Sequence, residues 1–187
     1  MHCNPTPRQC MFSVIVTTRD ASVHASASPE ATVRTLAALV PGAISGIIRD
    51  VVMTGPRSDS DEGRDIARIA DHAGCELADG NTWPEAMRAA LKMAREPRIF
   101  ALQAGFVPES GFYDELSDMT REAIMRPARL LERPASRLHR ALPFLAPLAG
   151  VAAQKDELAR AGGSDFTSWA RQIGRMQTMR TRARRVD

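Results

Sequence analysis

The sequence is short of the residues that most metal and redox chemistry requires. Its 187 residues hold three cysteines, Cys3, Cys10 and Cys75, an odd number with no C-x-x-C spacing. A disulfide framework is therefore not indicated. Four histidines make no H-x-x-x-H pair, so a structural zinc has no ligand set. His2-Cys3 and Cys10 are the nearest approach to one, and they read first as a Pro-containing leader ahead of the first strand. No apolar run is long enough to cross a bilayer, which takes about 20 residues. The longest weakly polar run, Ala141 to Ala153, is broken by Pro143 and Pro147. The N-terminus also lacks the charged-then-apolar pattern of a signal peptide. These absences lead to the expectation of one globular domain, residues 1–187, in the reducing cytoplasm.

What is present is a 44% hydrophobic composition, enough for a chain of this length to bury about 70% of its unfolded surface. Charge is unevenly placed. Residues 1–120 hold 11 Lys and Arg against 16 Asp and Glu, net −5, and residues 121–187 hold 14 against 6, net +8. The overall +3 thus conceals a polar molecule.

Met11 to Thr17 is an apolar run rich in β-branched residues that stops in Thr17-Thr18-Arg19-Asp20, the pattern of a buried strand. A helix follows, with Ser28 as N-cap, Pro29 at the first position and Val33, Leu36, Ala37 and Val40 at helical spacing up to Pro41-Gly42. Ile47 to Met53 is a second strand ending in Thr54-Gly55-Pro56, and Asp61 to Ala73 a second helix with Gly74 at its end. A short third strand near Cys75 to Ala78 leads to Thr82-Trp83-Pro84-Glu85, a capping-box pattern that opens a third helix. Arg98 to Leu102 is a fourth strand, ending in Gln103-Ala104-Gly105-Phe106, and Gly111 to Met119 begins a fourth helix. This β-α alternation predicts an α/β fold, a three-layer sandwich around a mostly parallel sheet, with Thr17, Thr54 and Gln103 at one edge.

Beyond residue 120 the pattern weakens. Arg129, Arg133, Arg137 and Arg140 recur every three to four residues among Leu130, Leu131, Leu138 and Leu142, in a segment interrupted by Pro134; if helical, they would share one basic face. Gly150 to Asp156 reads as a returning strand and Glu157 to Ala161 as a helical turn. Asp165 to Met179 reads as a terminal helix running into the basic tail Arg180-Thr181-Arg182-Ala183-Arg184-Arg185.

Ser13 to Arg19, Leu36 to Pro41 with Ile48 to Val52, and Ser58-Asp59 with Ile66-Ala67 through Ala73-Gly74-Cys75 together resemble the family 2 glycosyltransferases of the GT-A fold. Order and spacing agree over about a hundred residues. The resemblance implies a nucleotide-sugar-binding half at residues 11–120 and an acceptor-side half at 121–187. It also points to Thr17, Thr18, Arg19, Asp20, Thr54 and Arg57 at the nucleotide, Gln103 and Gly105 at the donor diphosphate, and Asp165 as the base on the acceptor side.

The family's chemistry lies in three places, and the chain departs from each. Strand two ends Met53-Thr54-Gly55-Pro56-Arg57, without the nucleotide aspartate. Gln103-Ala104-Gly105 stands where the family has Asp-x-Asp, and an amide and a glycine do not hold a hard divalent ion. Gly162-Gly163-Ser164-Asp165 keeps one carboxylate of a Glu-Asp pair. The expectation is therefore no metal and no cofactor. If the chain is active, arginines such as Arg129, Arg133 or Arg171 would neutralise the leaving diphosphate.

Each of these residues also has a reading without chemistry. Thr17 to Asp20 and Gly55 to Asp59 read as turns after strands, Gln103 as a surface amide, and Asp165 as the N-cap of the terminal helix. Trp83 and Trp169 read as core. Two classes of function stay open. One is transfer of sugar from a nucleotide-activated donor. The other is a non-catalytic binding or scaffolding protein whose basic C-terminal third meets an anionic surface at the inner face of the membrane, or an acidic partner. No specific nucleic-acid partner is indicated. A nucleotidyltransferase would need a Gly-rich loop after the first strand, and Ala21 to Ser26 contains no glycine.

Overall fold

A computed structural model describes residues 11–18, 27–56, 59–122, 124–134 and 146–186. The element order is β1 (Phe12–Thr17), α1 (Pro29–Ile44), β2 (Ile48–Gly55), α2 (Asp61–Ala73), β3 (Glu76–Asp79), α3 (Trp83–Met93), β4 (Arg98–Gln103), β5 (Phe106–Pro108), α4 (Phe112–Arg121), β6 (Ala128–Glu132), β7 (Leu148–Gln154), α5 (Lys155–Arg160), α6 (Phe166–Arg171) and β8 (Gln177–Arg185). One eight-stranded sheet runs in the order β3-β2-β1-β4-β7-β6-β8-β5. β3, β2, β1 and β4 are parallel, β7 is antiparallel to both β4 and β6, β8 is parallel to β6, and β5 is antiparallel to β8. The expected α/β sandwich is thus present, with an antiparallel strand inserted beside β4.

The central strands are apolar on both faces because helices cover both. Phe12, Val14 and Val16 of β1 and Phe100 and Leu102 of β4 belong to one core with Leu36 and Leu39 of α1, Ile66 of α2, and Phe112 and Leu116 of α4. Ile15, Ile99 and Ala101 point the other way, toward Trp83, Met87 and Leu91 of α3, Leu158 of α5, and Phe166 and Trp169 of α6. Arg98 is only 7% exposed, yet its position has a cause. Its Nη2 donates to Glu122 O at 2.9 Å, satisfying a carbonyl left over at the C-terminal end of α4.

Several local expectations hold. Ser28 accepts from Ala31 N, and Gly74 ends α2 in the left-handed region at φ 66. Others are corrected. α1 runs through Pro41-Gly42 to Ile44, and Gly42 is required there because a Cβ would stand 2.6 Å from Ile48 Cδ1. Glu85 accepts from Asn81 N, not from Thr82, and the Thr82 side chain makes no cap bond.

The larger corrections lie in the basic third. Ala128–Glu132 is a strand, so Arg129 and Arg133 do not share a helical face; Arg137, Arg140, Leu138 and Leu142 lie outside the described residues. The terminal helix is the six-residue α6, and the expected tail is β8, hydrogen-bonded to β6 on one side and β5 on the other. β5 was not expected as a strand at all.

A carboxylate of α4 holds β8 by three hydrogen bonds. Glu115 accepts from Arg180 N at 2.8 Å, Thr181 N at 3.0 Å and Thr181 Oγ1 at 2.8 Å. Burial pushes its pKa up, but these donors and the nearby Arg180 charge outweigh it and hold the carboxyl below its usual value. A depressed native pKa contributes stability above the unfolded pKa that is lost as pH falls through the native one. Glu115→Ala, which leaves two backbone N–H groups without their acceptor, is expected to lose about 1–3 kcal/mol in urea titration at neutral pH. The deficit should shrink in acid, where the native carboxylate is also protonated.

Candidate functional site

The chain places its candidate site where the strand connections diverge. From β1 the sheet grows one way through β2 to β3 and the other way to β4, which makes the gap beyond β1 and β4 a topological switch point. Thr17 closes β1 in register with Thr54 on one side and Gln103 on the other. All three side chains are buried. The sequence-predicted cluster at this edge is therefore real as geometry.

The row is already internally hydrogen-bonded. Thr18 Oγ1 donates to Thr54 O at 2.7 Å, and Thr17 Oγ1 donates to Leu102 O at 3.4 Å. Their hydroxyls keep acceptor lone pairs only. Ala104 N donates to Thr17 O at 2.8 Å, folding the β4–β5 turn across the end of β1. Gly105, at φ 85, donates its N–H to the buried Thr35 Oγ1 of α1 at 3.0 Å. Its carbonyl accepts from Val186 N at 2.8 Å. The turn is thus pinned from α1 and from the residue that follows β8.

Carboxylates are scarce here. Asp79, the last residue of β3, pairs in register with Gly55 at the same edge and is exposed. Sequence reasoning passed over it, although an Asp-Gly directly after a strand was the available signal. Its strand lies three spacings from β4, about 14 Å away, too far for one ion to be shared between Asp79 and the β4–β5 turn. Among the described residues no group of three or more His, Cys, Asp or Glu is placed to hold a metal. The side chains of Gln103, Ala104 and Gly105 offer one neutral amide oxygen and no carboxylate, and they do not fit a hard divalent cation.

On the α3 face a pocket of about 250 Å³ lies between α3 and the loop joining α5 to α6, walled by Trp83, Met87, Leu158 and Trp169, with Arg88, Arg160 and Gly162-Gly163 also lining it. The pocket runs along α3 from Trp83 at its start to Leu91 near its end. Trp83 and Trp169 meet edge to face with centroids 5.7 Å apart, and Trp169 Nε1 donates to Leu158 O at 3.2 Å. Both indoles are core residues, at 7% and 2% exposure.

Asp165 caps α6. Its Oδ1 accepts from Ser168 N at 2.8 Å and its Oδ2 from Ser164 Oγ at 3.0 Å. Partial burial pushes its pKa up, but the Ser168, Ser164 and Thr167 donors prevail and hold it below the usual value. Among the described residues no hydrogen bond joins Asp165 to the strand-end row. Arg19, Asp20 and Arg57 lie outside the described residues. Arg129, Arg133 and Arg171 do not reach the β4–β5 turn as hydrogen-bonding groups. Arg129 Nε donates to Thr178 Oγ1 at 3.0 Å, Arg133 pairs with Glu109 at 3.1 Å, and Arg171 ends α6.

No protein-family model and no curated protein matches the sequence. Solved structures do. A mycobacterial protein superposes with TM-score 0.58 at 15% identity, over 81% of this chain and 55% of its own. Glucosyl-3-phosphoglycerate synthase from Mycobacterium tuberculosis, in complex with phosphoglyceric acid, superposes with TM-score 0.62 at 12% identity, over 95% of this chain and 72% of its own. The same enzyme with Mn²⁺, uridine diphosphate and phosphoglyceric acid gives 0.57 at 15%, over 88% and 62%. The chain therefore spans between about half and three quarters of these neighbours. At such identities the likeness concerns the fold, which is of the GT-A type.

Proposed function

We propose that this chain is a glycosyltransferase-like protein that binds a nucleotide-activated sugar at the carboxyl edge of its sheet, without a divalent metal. The observation that carries the reading is the in-register row Thr54–Thr17–Gln103 across the β1/β4 switch point, the place where open α/β sheets take their ligands. Thr17, Thr18 and Thr54 would flank the nucleotide, together with Arg19, Asp20 and Arg57, which follow β1 and β2 in the sequence. Gln103 and the Gly105 backbone would face the diphosphate. The neighbours' complexes with Mn²⁺, uridine diphosphate and UDP-glucose support the nucleotide-sugar class, while the metal part does not carry over to Gln103-Ala104-Gly105.

In the transfer itself an acceptor hydroxyl oxygen forms the new bond to the anomeric carbon. The bond from that carbon to the diphosphate oxygen breaks, and the nucleoside diphosphate leaves with the electron pair. Asp165 is the proposed acceptor-side base that takes the hydroxyl proton. A carboxylate held below its usual pKa accepts a proton less readily, so its contribution belongs at the low end of general-base effects, about a hundredfold. Asp165→Asn retains an acceptor for the α6 cap and is expected to melt with the native protein while losing that hundredfold in transfer rate. Asp165→Ala should lose about 1 kcal/mol of stability besides. Equal transfer rates for native and Asp165→Asn protein would leave Asp165 with its cap role alone.

The reading as a whole is tested by thermal shift against nucleoside diphosphates and nucleotide sugars, each with and without Mn²⁺. A ligand at a hundred times its Kd stabilises the native state by about 2.7 kcal/mol. At least one nucleotide sugar should raise the melting temperature without Mn²⁺, and a panel with no shift would overturn the proposal.

The scaffolding alternative retains one observation: Arg182 and Arg184 alternate with the buried Ala183 along β8, presenting basic groups on the face away from the core. Flotation with anionic vesicles at low and high salt separates the two readings, because a surface contact of this kind is screened.

A further inference from the structure

We infer that Arg184 and Arg185, the last two residues of β8, supply at the β4–β5 turn the positive charge that a divalent cation would otherwise bring to a diphosphate. The inference rests on the proposed nucleotide-sugar reading and names which side chains would neutralise the leaving group. Arg129, Arg133 and Arg171, the arginines that the sequence suggests for this task, are engaged or placed elsewhere.

The turn and the end of β8 are joined directly. β5 starts three residues after Gln103 and pairs with β8 so that Phe106 faces Arg185 and Val107 faces Arg184. One residue on, Val186 N donates to Gly105 O at 2.8 Å. The Arg185 guanidinium lies 4.9 Å from the centroid of the Phe106 ring, in the residue next to Gly105. The neutral turn therefore has a fixed cation beside it.

The two arginines differ in a useful way. Arg185 is anchored: it stacks on Phe106 and its Nε lies 3.5 Å from Glu132 Oε1, yet 46% of its side chain is exposed. Strand alternation puts Arg184 on the opposite face, where it is exposed and forms no ion pair among the described residues. The pair thus straddles the strand end, one side chain oriented by packing and the other able to swing. Guanidinium groups suit this task because their planar fork donates two parallel hydrogen bonds to phosphate oxygens and does not lose its charge. Around them stand Arg133 and Arg182, and the facing carboxylates are Glu109 and Glu132, paired with Arg133 and Arg185 respectively. Among the described residues the corner holds four arginines against two glutamates.

The test is isothermal titration of the full chain in EDTA with inorganic pyrophosphate and, separately, with a panel of nucleoside diphosphates. Arg184→Ala and Arg185→Ala should each weaken pyrophosphate binding about tenfold, as expected for one charge-assisted contact, and the double variant about a hundredfold. Arg185→Lys, which keeps the charge and loses the fork, should fall between. Because Arg185 also packs on Phe106, melting temperatures are read alongside; Arg184→Ala, exposed and unpaired, should melt as the native protein does and still bind less. In a parallel titration without EDTA, Mn²⁺ kept below the concentration at which it complexes pyrophosphate should leave native affinity unchanged. Pyrophosphate affinity that is indifferent to both arginines, or that appears only with Mn²⁺, overturns the inference. Arginine-dependent pyrophosphate binding with no response to any nucleoside diphosphate would uphold the charge device and overturn the nucleotide-sugar reading on which its role rests.

Discussion

Alanine at position 163 is expected to lower stability by about 3 kcal/mol or more, while alanine at position 162 costs little. Gly163 adopts φ +148, and a Cβ built there would stand 2.5 Å from Trp169 N and 2.7 Å from Trp169 Cα. Those are backbone atoms of α6, which cannot turn aside as a side chain can. Strain at such a φ costs about 1–3 kcal/mol, and overpacking of this kind adds about 1–3 kcal/mol. Set against a typical total of about 5–15 kcal/mol, that is a large share. Gly162 is different: its nearest neighbour to a Cβ would be Gln172 Oε1 at 3.3 Å, the end of a flexible amide. Urea midpoints of the two variants check the contrast, and a Gly163→Ala protein as stable as the native one would show that the loop yields.

This expectation bears on how the Gly-Gly-Ser-Asp segment is understood. Gly163 is explained by the approach of α6, Ser164 by its bond to Asp165, and Asp165 by the cap it provides. Folding alone thus accounts for three of the four positions. Any chemical role for Asp165 has to show itself in a variant that leaves the cap intact, which is why the asparagine substitution decides more than the alanine one.

The acidic first two thirds of the molecule were legible because each element there follows a single pattern. Fully buried strands such as Phe12–Thr17 and Arg98–Gln103 are near-continuous apolar runs, and capped amphipathic helices separate them. Their parallel register then followed from the alternation, and with it the meeting of Thr17, Thr54 and Gln103. β8 was not legible for the opposite reason. Only Met179 and Ala183 of its nine residues are buried hydrophobics, and its arginines read as a solvated tail. In hindsight Met179, Thr181 and Ala183 recur with a period of two, but a strand covered on one face only, with long basic side chains on the other, gives that period little contrast. β6 was masked likewise, since Arg129 and Arg133 lie four residues apart and imitate a helical stripe. The candidate site inherited both errors: its neutral row was foreseen, whereas the cations nearest the turn came from a segment assigned no structure.

Deletion of residues 177–187 is accordingly expected to abolish the cooperative fold rather than trim a tail. β8 is the sole partner of β5 and one of two partners of β6. Without it Glu109 N loses Arg182 O, Arg133 N loses Ala183 O and Gly105 O loses Val186 N, while Glu115 loses all three donors that face it. Gly105 is buried, and a buried group left unpaired costs about 1–3 kcal/mol, while the void left by Met179 alone costs about 2–5 kcal/mol. With the ladders of β5 and β6 lost as well, these approach a typical total stability. Circular dichroism should show the truncated chain melting without a sigmoidal transition; a sharp transition at the native temperature would mean that the sheet closes without β8. Loss of ligand binding on truncation would therefore say nothing about charge. The electrostatic role of this strand has to be read in full-length protein, with Arg182→Gln and Arg184→Gln introduced where the backbone ladder and the buried Met179 and Ala183 remain in place.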